Sequence, residues 1–384
     1  MVSGLPPVLF VMDKLGYPGG VAHGGGTYLL HVLPELAEAG MDVTACILRD
    51  PHPLADMLRE RGIPTISLSC APADPSVVLR LASIARQNDC AILHAAGVKA
   101  TLMARLATRL VPARTIVHVH DLVHPGLLLG NLHRACARKS DLGVCVSRAA
   151  VQTTVDGYHV SPDRVRVIHN GIQLKRFRGV PADTRAAVRH ELGIPGQSRV
   201  LGMYARMYPV KGHRAMLRMM PRIVEACPDV VLLLAGDGPE RGPCETLVAE
   251  LGLRGHVIFL GQRDDVPELL AACDVFLVPS ESEGLCLGAV EALAMARPVV
   301  AFDVGGVGEV VDEGETGRLV PFGDADAFVS AVLSLLLDAE KLSAFGRRAW
   351  HAAGRFSVEN HVGRLMDCYR ELAHGNEARP SLVP

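Results

Sequence analysis

The sequence predicts an α/β protein of two successive Rossmann-like domains, each a parallel β-sheet covered by helices. Short apolar runs alternate with helical patterns along most of the chain, which is typical of parallel sheets wound on both faces. This alternation stops after residues 165–171 and restarts near residue 199. The length of 384 residues is enough for two to three domains of ordinary size. Two similar domains in series are the simplest architecture that satisfies all three observations.

The first half of the chain repeats the order strand, loop, helix. Residues 8–12 are an apolar run of buried-strand length, and a glycine-rich segment and a periodic segment follow it. Strands are predicted over 8–12, 43–48, 65–68, 91–94, 114–120 and 143–147. Helices are predicted over 27–38, 53–61, 75–87 and 98–110. The first domain is therefore expected to span residues 1–172.

The second half follows the same rule after a change of texture. Residues 173–198 are rich in charge, proline and glycine, and they are predicted to be a linker that contains some helix. Strands are predicted over 199–204, 230–235, 256–260, 275–279 and 298–302, and helices over 212–226, 241–251, 266–272, 287–295 and 325–337. A second domain is therefore expected to span residues 199–355.

Composition excludes several classes of protein. The 39 Lys and Arg against 41 Asp and Glu leave a net charge of −2, so no bulk field attracts nucleic acid or an anionic membrane. The ten cysteines contain no C-x-x-C pair and indicate reduced core residues. No apolar run approaches the roughly 18 residues that span a bilayer, and residues 1–10 lack a basic start. A cytoplasmic protein is expected.

Two carboxylates, Glu283 and Glu291, form the strongest motif. Glu283 follows the predicted strand 275–279, at the edge where open α/β sheets bind ligands, and Glu291 lies eight positions on in the next helix. This spacing suits hydrogen bonds to two polyol groups of one extended ligand, while the helix N-terminus offers amides to an anion. For either glutamate alone, a solvated surface position is the competing interpretation.

Arg206 and Lys211 follow the strand 199–204 and provide the second motif. A guanidinium and an ammonium five residues apart suit a diphosphate whose charge grows as a bond to it breaks. Ordinary surface cations are the alternative for this pair in isolation. Residues 236–242 contain three glycines but not the G-x-G-x-x-G spacing, which weakens an oxidoreductase interpretation.

Three histidines and an aspartate follow the predicted strand 114–120. His118, His120, Asp121 and His124 could be metal ligands of a hydrolase, but their spacing matches no common zinc motif. The favoured interpretation is that His120 reaches a cleft and the others are structural. The glycine run 24–26 could cradle phosphate, admit a substrate or simply allow tight packing.

Together these motifs resemble the retaining GT-B glycosyltransferases of family GT4 over nearly the whole chain. The specific matches lie in the second half: Arg206, Lys211-Gly212, 234–239, Glu283 with Glu291, 298–301, Gly305-Gly306, Glu309 and 317–321. Looser matches lie in the first half: 24–26, His94, His120-Asp121, 146–147 and 167–171. The resemblance implies two domains facing across a cleft, and a segment 356–384 whose helix crosses back to the first domain.

The resemblance also implies roles in transferring a sugar from a nucleoside diphosphate sugar to a hydroxyl acceptor with retention. Arg206 and Lys211 would bind the diphosphate, Glu291 the ribose hydroxyls, and Glu283 the transferred sugar. Amides of the following turn would assist at the sugar: Gly284, Leu285, Cys286 and Leu287. No cofactor or metal is implied. This turn departs from the usual E-G-F-G pattern, because Leu285 and Cys286 stand at its last two positions.

The remaining implied residues frame the ligand from other loops. Backbone near Gln262 and Arg263 would frame the base, His120 would face the donor sugar, and Gly25 and Gly26 would approach the phosphates or the acceptor. The base, the sugar and the acceptor (glycan, lipid-linked or small molecule) are not identified. A nucleotide-sugar epimerase, a phosphorylase and a non-catalytic sugar-nucleotide binder remain alternatives. Residues 127–129 could touch a membrane, but core contacts are favoured for three leucines at a helix start.

Overall fold

The computed structural model divides the chain into two compact units. It describes residues 5–16, 24–49, 52–71, 74–138 and 141–374. Unit 1 comprises Met1–Gly171 and Val358–Pro384, and unit 2 comprises Ile172–Ser357. Each unit has its own parallel sheet and its own apolar core. The segment 173–198, predicted as a linker, falls within unit 2.

Unit 1 contains a parallel sheet of seven strands among the described residues. The strands are β1 Val8–Met12, β2 Val43–Ile47, β3 Thr65–Ser67, β4 Ile92–Ala96, β5 Arg114–Val119, β6 Leu142–Cys145 and β7 Val165–Val167, in the order β3-β2-β1-β4-β5-β6-β7. The helices between them are α1 Gly24–Glu38, α2 Pro53–Glu60, α3 Ser76–Gln87, α4 Val98–Ala107 and α5 Leu127–Cys136. The central strands β1 and β4 are buried along their whole length because helices cover both faces.

Unit 2 contains a parallel sheet of six strands, in the order β10-β9-β8-β11-β12-β13. These are β8 Arg199–Tyr204, β9 Val230–Ala235, β10 Val257–Gly261, β11 Val275–Val278, β12 Val299–Phe302 and β13 Gly317–Val320. The helices are α6 Leu174–Arg178, α7 Thr184–Glu191, α8 His213–Ala226, α9 Arg241–Glu250, α10 Val266–Ala272, α11 Leu287–Ala294, α12 Ala325–Leu336 and α13 Ala339–Ala352.

The last helix, α14 Val358–His374, returns to unit 1, so the crossing helix expected from the resemblance is confirmed. It packs on α1, and the hydroxyl of Tyr28 on α1 lies 2.9 Å from Nε2 of His361 on α14. Tyr369 of α14 is fully buried and its hydroxyl lies 2.8 Å from Nδ1 of His94 at β4. These contacts make α14 part of the core of unit 1.

Three elements were missed by the sequence analysis: β7, β13 and α13. The strands β7 and β13 are short and carry an arginine each, so they lack the continuous apolar runs that predict buried strands. The helix α13 follows α12 with almost no interruption. The helix α5 begins with three leucines, of which Leu127 and Leu128 are exposed, so the expectation of core contacts is wrong for these two.

The order of each sheet reverses at one place. In unit 2 the chain runs outward from β8 to β10 and then returns to β11 on the other side of β8; in unit 1 the same reversal separates β1 from β4. Loops leaving such neighbouring strands diverge to opposite faces, which opens a crevice at their carboxyl ends. In the described parts of the chain, no helix combines the length and apolarity needed to cross a lipid bilayer.

Candidate functional site

Lys211 and Glu283 meet at the crevice between β8 and β11. Lys211 precedes α8 and Glu283 follows β11, and Nζ of Lys211 lies 2.7 Å from Oε1 of Glu283. The hydroxyl of Ser280 donates to the same oxygen at 2.7 Å. Both charged side chains are largely buried, so one oxygen of the carboxylate is fixed by two donors. Ser280 was missed by the sequence analysis, although it stands three residues before a predicted site residue.

Two glycines allow the loops around this ion pair to touch. Gly212 has φ +76°, and a Cβ there would lie 1.9 Å from the carbonyl oxygen of Pro279. Gly236, after β9, has φ +126°, and a Cβ there would lie 2.1 Å from the carbonyl oxygen of Ala205. Only glycine fits either position, because both the conformation and the space exclude a side chain. The loops after β8, β9 and β11 are thereby held against one another.

Arg206 lies in the loop that Gly236 approaches. Its guanidinium carbon is 5.1 Å from the centre of the Tyr208 ring, within the range of a cation–π contact. The N–H of Met207 donates to the carbonyl of Asp237 at 2.9 Å, which fixes the backbone on which Arg206 stands. The two predicted phosphate-binding cations, Arg206 and Lys211, therefore both leave the carboxyl end of β8.

The turn 284–287 connects Glu283 to the N-terminus of α11. The N–H of Gly306 donates to the backbone carbonyl of Glu283 at 3.1 Å, and Leu285 is buried, so the turn is anchored on both sides. Cys286 has φ +72°, the left-handed region that favours glycine, and it is the residue from which α11 starts. The first N–H groups of α11 have no partner within the helix and give this end a partial positive charge.

The left-handed Cys286 gives a prediction about stability. Left-handed backbone destabilises a residue with a Cβ by about 1–2 kcal/mol. Glycine avoids this strain, but its larger conformational entropy in the unfolded state offsets part of the gain. We therefore expect Cys286→Gly to be about 1 kcal/mol more stable than Cys286→Ala, which lacks the thiol but retains the strain. The order of their midpoints in thermal unfolding measures this difference. Equal midpoints, or a higher midpoint for Cys286→Ala, would contradict it.

Glu291 lies on α11 beside the same edge. Burial raises the pKa of its carboxyl to about 7, and the nearby guanidinium of Arg176 offsets part of that increase. Arg176 belongs to α6 and also donates to the carbonyl of Asp264, in the loop after β10. The sequence analysis missed Arg176, because nothing in a basic stretch of a predicted linker singles it out.

The loop after β10 contains Gln262 and Arg263. The Arg263 guanidinium donates to Asp265 at 2.7 Å and to Glu191 at 3.5 Å, so its charge is engaged within unit 2. This is compatible with the predicted role of the backbone, rather than the side chain, in framing a base. Arg176 links this loop to the Glu291 side of the crevice.

Unit 1 holds His120 in a cluster of aromatic side chains. The His120 ring stacks on His118 with 4.0 Å between centroids and meets the Tyr28 ring edge-on at 4.7 Å. Nδ1 of His118 lies 2.9 Å from Nε2 of His94. Two imidazoles of the suggested metal cluster thus stack, and one of them bonds a further histidine. No group of three or more potential metal ligands is found among the residues that the structure describes.

Gly25 and Gly26 lie in the first turn of α1. A Cβ on Gly26 would lie 2.0 Å from the carbonyl oxygen of Leu15, so close backbone packing already explains this glycine. Gly25 is partly exposed. His23 and residues 17–22 before it lie outside the described residues.

Comparisons with known proteins identify the family. The model for Glycosyltransferase Family 4 matches residues 22–176, and the model for Glycosyl transferases group 1 matches residues 184–351. The N-acetyl-alpha-D-glucosaminyl L-malate synthase of Bacillus anthracis is 30% identical over 309 residues, which cover 78% of this chain and 80% of that protein. The chain belongs to glycosyltransferase family 4. The resemblance found in the sequence is confirmed.

Other members of the family show how far the likeness extends. The D-inositol 3-phosphate glycosyltransferase of Corynebacterium urealyticum is 32% identical to this family 4 chain over 253 residues, or 63% of the chain. The match spans 59% of that relative's length. The Anabaena protein HepE, solved in complex with UDP, superposes with a TM-score of 0.82 at 22% identity, covering 95% of this chain and 100% of that one. The predicted GT-B fold is confirmed.

Proposed function

We propose that the chain transfers a sugar from a nucleoside diphosphate sugar to a hydroxyl acceptor, with retention at the anomeric carbon. The observation that carries the proposal is the ion pair of Lys211 and Glu283 at the switch point of the unit 2 sheet. A cation for a phosphate and a carboxylate for a sugar hydroxyl stand there side by side. The family 4 assignment and the UDP-glucose complex of HepE, with a TM-score of 0.80, support this choice.

The proposed chemistry depends on charge at the leaving group. When the bond between the anomeric carbon and the phosphate breaks, its electron pair stays on the diphosphate oxygen, and the negative charge there increases. Lys211, Arg206 and the N-terminal amides of α11 then stabilise that oxygen more strongly than they do in the ground state, which lowers the barrier. The acceptor oxygen bonds to the anomeric carbon, and its proton passes to the departing phosphate.

The other residues position the donor. Glu291 would accept hydrogen bonds from the ribose hydroxyls, and Glu283 would bond hydroxyls of the transferred sugar, with amides of 284–287 beside it. Backbone of Gln262 and Arg263 would frame the base. We propose no covalent protein nucleophile and no cofactor. The role of His120, and of Gly25 and Gly26, stays a prediction from the family resemblance.

A ligand panel tests the proposal. Thermal unfolding is followed with UDP, GDP, ADP and dTDP and their common sugar conjugates, since a ligand present at 100 times its Kd adds about 2.7 kcal/mol to stability. We expect one base to raise the unfolding midpoint clearly, and release of that diphosphate to depend on an added acceptor. Diphosphate binding without turnover would instead support the non-catalytic binder, and no shift with any ligand would contradict the donor site.

The raised pKa of Glu291 predicts pH-dependent donor binding. A carboxylate is a better acceptor for ribose hydroxyls than a carboxylic acid, and Glu291 takes up its proton as the pH falls through about 7. Affinity for the diphosphate found in the panel should fall several-fold more between pH 8 and pH 6 in wild type than in Glu291→Gln. Isothermal titration calorimetry at both pH values measures this, and the variant cancels titration of the ligand's own phosphate.

The unliganded protein provides a second readout of the same group. Because the folded pKa of Glu291 lies above the unfolded value of about 4.5, the folded state binds the proton more tightly. Stability from this group is present below pH 4.5 and is lost as the pH rises through 7. Glu291→Gln should therefore gain stability relative to wild type between pH 5 and pH 8. A difference that is independent of pH would contradict the raised pKa.

A further inference from the structure

The helix α5 presents its leucines to solvent and its histidine to the core. His133 and Cys136 are the buried residues of this helix. Leu127 is 86% exposed, Leu128 is 75% exposed and Leu132 is 42% exposed, while Val123, just before the helix, is 64% exposed. Leu127 and Leu128 are thus almost free of contacts, while Leu132 is partly covered. An ordinary surface helix turns its apolar side chains to the core and its polar side chains to solvent, whereas α5 buries a histidine and exposes leucines.

Polar contacts, not leucines, attach α5 to unit 1. Nη1 of Arg105 lies 3.2 Å from Nδ1 of His133, and a guanidinium can only donate, so Nε2 of His133 carries the proton and donates to the carbonyl of Val98 at 3.0 Å. Arg105 is itself buried and paired with Asp141 at 2.8 Å. Burial lowers the pKa of His133 to about 4, so the neutral ring that these bonds require persists near neutral pH. The exposed leucines are therefore not needed to hold the helix.

Positive charge borders the exposed leucines. The 17 residues 122–138 contain no Asp or Glu, and they include Arg134 and Arg138. Arg109, two residues after α4, donates to the carbonyl of Ala135 on α5 at 2.9 Å, which places another cation beside the helix. The next acid along the chain, Asp141, is buried against Arg105. Two exposed acids border the same surface, because Asp121 accepts from the N–H of Val123 at 3.1 Å and Asp156 lies, with Arg134, beside His159. Arg109, Arg134 and Arg138 outnumber them, although the chain as a whole carries a net charge of −2.

We propose that this α5 surface, formed by Val123, Leu127, Leu128, Leu132, Arg134 and Arg138, binds the face of an anionic lipid bilayer. The apolar side chains would enter the region between headgroups and acyl chains, and the arginines would pair with lipid phosphates. A symmetric contact between two copies would place Arg134 and Arg138 of one copy against the same cations of the other. The cations of this surface outnumber the bordering acids, Asp121 and Asp156, so charge favours an anionic partner over self-association.

The position of α5 connects this surface to the site. The helix follows β5, whose carboxyl end carries His120, and Leu127 lies seven residues beyond that histidine. A bilayer bound to the α5 surface would therefore lie next to the edge of unit 1 that holds the predicted site residues. The inference itself rests on exposure, anchoring and charge, and it does not depend on the proposed transfer reaction.

Flotation with lipid vesicles tests the proposal. The full chain is mixed with vesicles of phosphatidylcholine containing phosphatidylglycerol, and with vesicles of phosphatidylcholine alone. We expect binding to the anionic vesicles, about tenfold or more weaker binding for the double variant Leu127→Ser with Leu128→Ser, and about fivefold weaker binding for Arg134→Ala. The matched control is Leu79→Ser, which removes a 66% exposed leucine of α3 and should bind like wild type.

The outcomes separate this surface from its alternatives. The double variant should keep the unfolding midpoint of wild type and its response to the nucleotide panel, because its leucines contact little of the core. Absence of vesicle binding by wild type, or equal losses in the double variant and in Leu79→Ser, would overturn the proposal. If wild type binds no vesicles but forms a dimer, and the double variant is monomeric, the surface is a contact between two copies and the proposal is overturned. Vesicle binding without any nucleotide response would leave this inference standing and contradict only the proposed function.

Discussion

Replacing Lys211 with alanine is expected to lower turnover by about 10²–10³-fold, the typical loss when one donor to a developing negative charge is removed. The ammonium group lies beside Glu283 at the end of β11, so its loss also leaves that carboxylate held by Ser280 alone. A negative group without its cation would then repel the diphosphate. The expected loss in kcat therefore exceeds the loss in affinity for the acceptor. Release of nucleoside diphosphate from the donor found in the panel measures both.

The matched control is Lys175→Ala, which removes an exposed lysine of α6 in the same unit. It should retain wild-type turnover. The contact between Lys211 and Glu283 adds a second test, because residues in contact are not additive. Lys211→Ala combined with Glu283→Gln should lose less than the product of the two single losses. Near-normal turnover of Lys211→Ala would contradict the proposed site, and so would strict additivity of the pair.

Gly212→Ala is expected to disrupt the site through the backbone. The new Cβ would lie 1.9 Å from the carbonyl oxygen of Pro279, immediately before Ser280, so the loops after β8 and β11 must separate. Separation moves Lys211 away from Glu283, and a displacement of about 1 Å at a reacting centre costs on the order of 10²-fold in rate. Overpacking adds about 1–3 kcal/mol of destabilisation to the cost of the left-handed conformation.

Gly252→Ala isolates the contribution of the clash. Gly252 has φ +69°, close to the +76° of Gly212, but no atom lies within 4 Å of a Cβ built on it. Both alanine variants therefore pay the same conformational penalty, and only Gly212→Ala meets another backbone. Gly212→Ala should therefore unfold at a lower temperature and have a lower turnover than Gly252→Ala. Equal unfolding midpoints together with equal turnover would show that the loop after β11 adjusts freely.

Local sequence patterns were sufficient for most of the fold. The strands β1 and β9 begin and end where their apolar runs do, because a strand buried on both faces must be apolar throughout. The strands β7 and β13 were not predicted, because each is short and carries an arginine. They join their sheets by pairing with β6 and β12. The segment 173–198 was predicted to be a linker, and the structure includes it in unit 2. Arg185 and Arg189 of α7 both pair with Asp274 before β11, and they attach this stretch to unit 2.

The candidate site was predicted in its residues but not in its contacts. Lys211, Glu283 and Glu291 were identified by residue type, by spacing and by the family resemblance. That Lys211 pairs with Glu283, 72 positions away, and that Ser280 donates to the same oxygen depends on β8 lying beside β11. The nearness of Arg176 to Glu291 depends likewise on how α6 packs.

The sequence by itself determined two parallel sheets and their approximate boundaries, because burial imposes a periodicity that a short window records. Its motifs, and not its periodicity, carried the resemblance to glycosyltransferase family 4. Only the tertiary structure decided the ion pair at the crevice, the raised pKa of Glu291 and the outward leucines of α5. The ion pair depends on strand order, the pKa of Glu291 on desolvation, and the orientation of α5 on the buried bonds of His133. Each of these involves residues that are distant in the chain. Contacts of that kind leave no periodic pattern, since each depends on which elements the folded chain brings together.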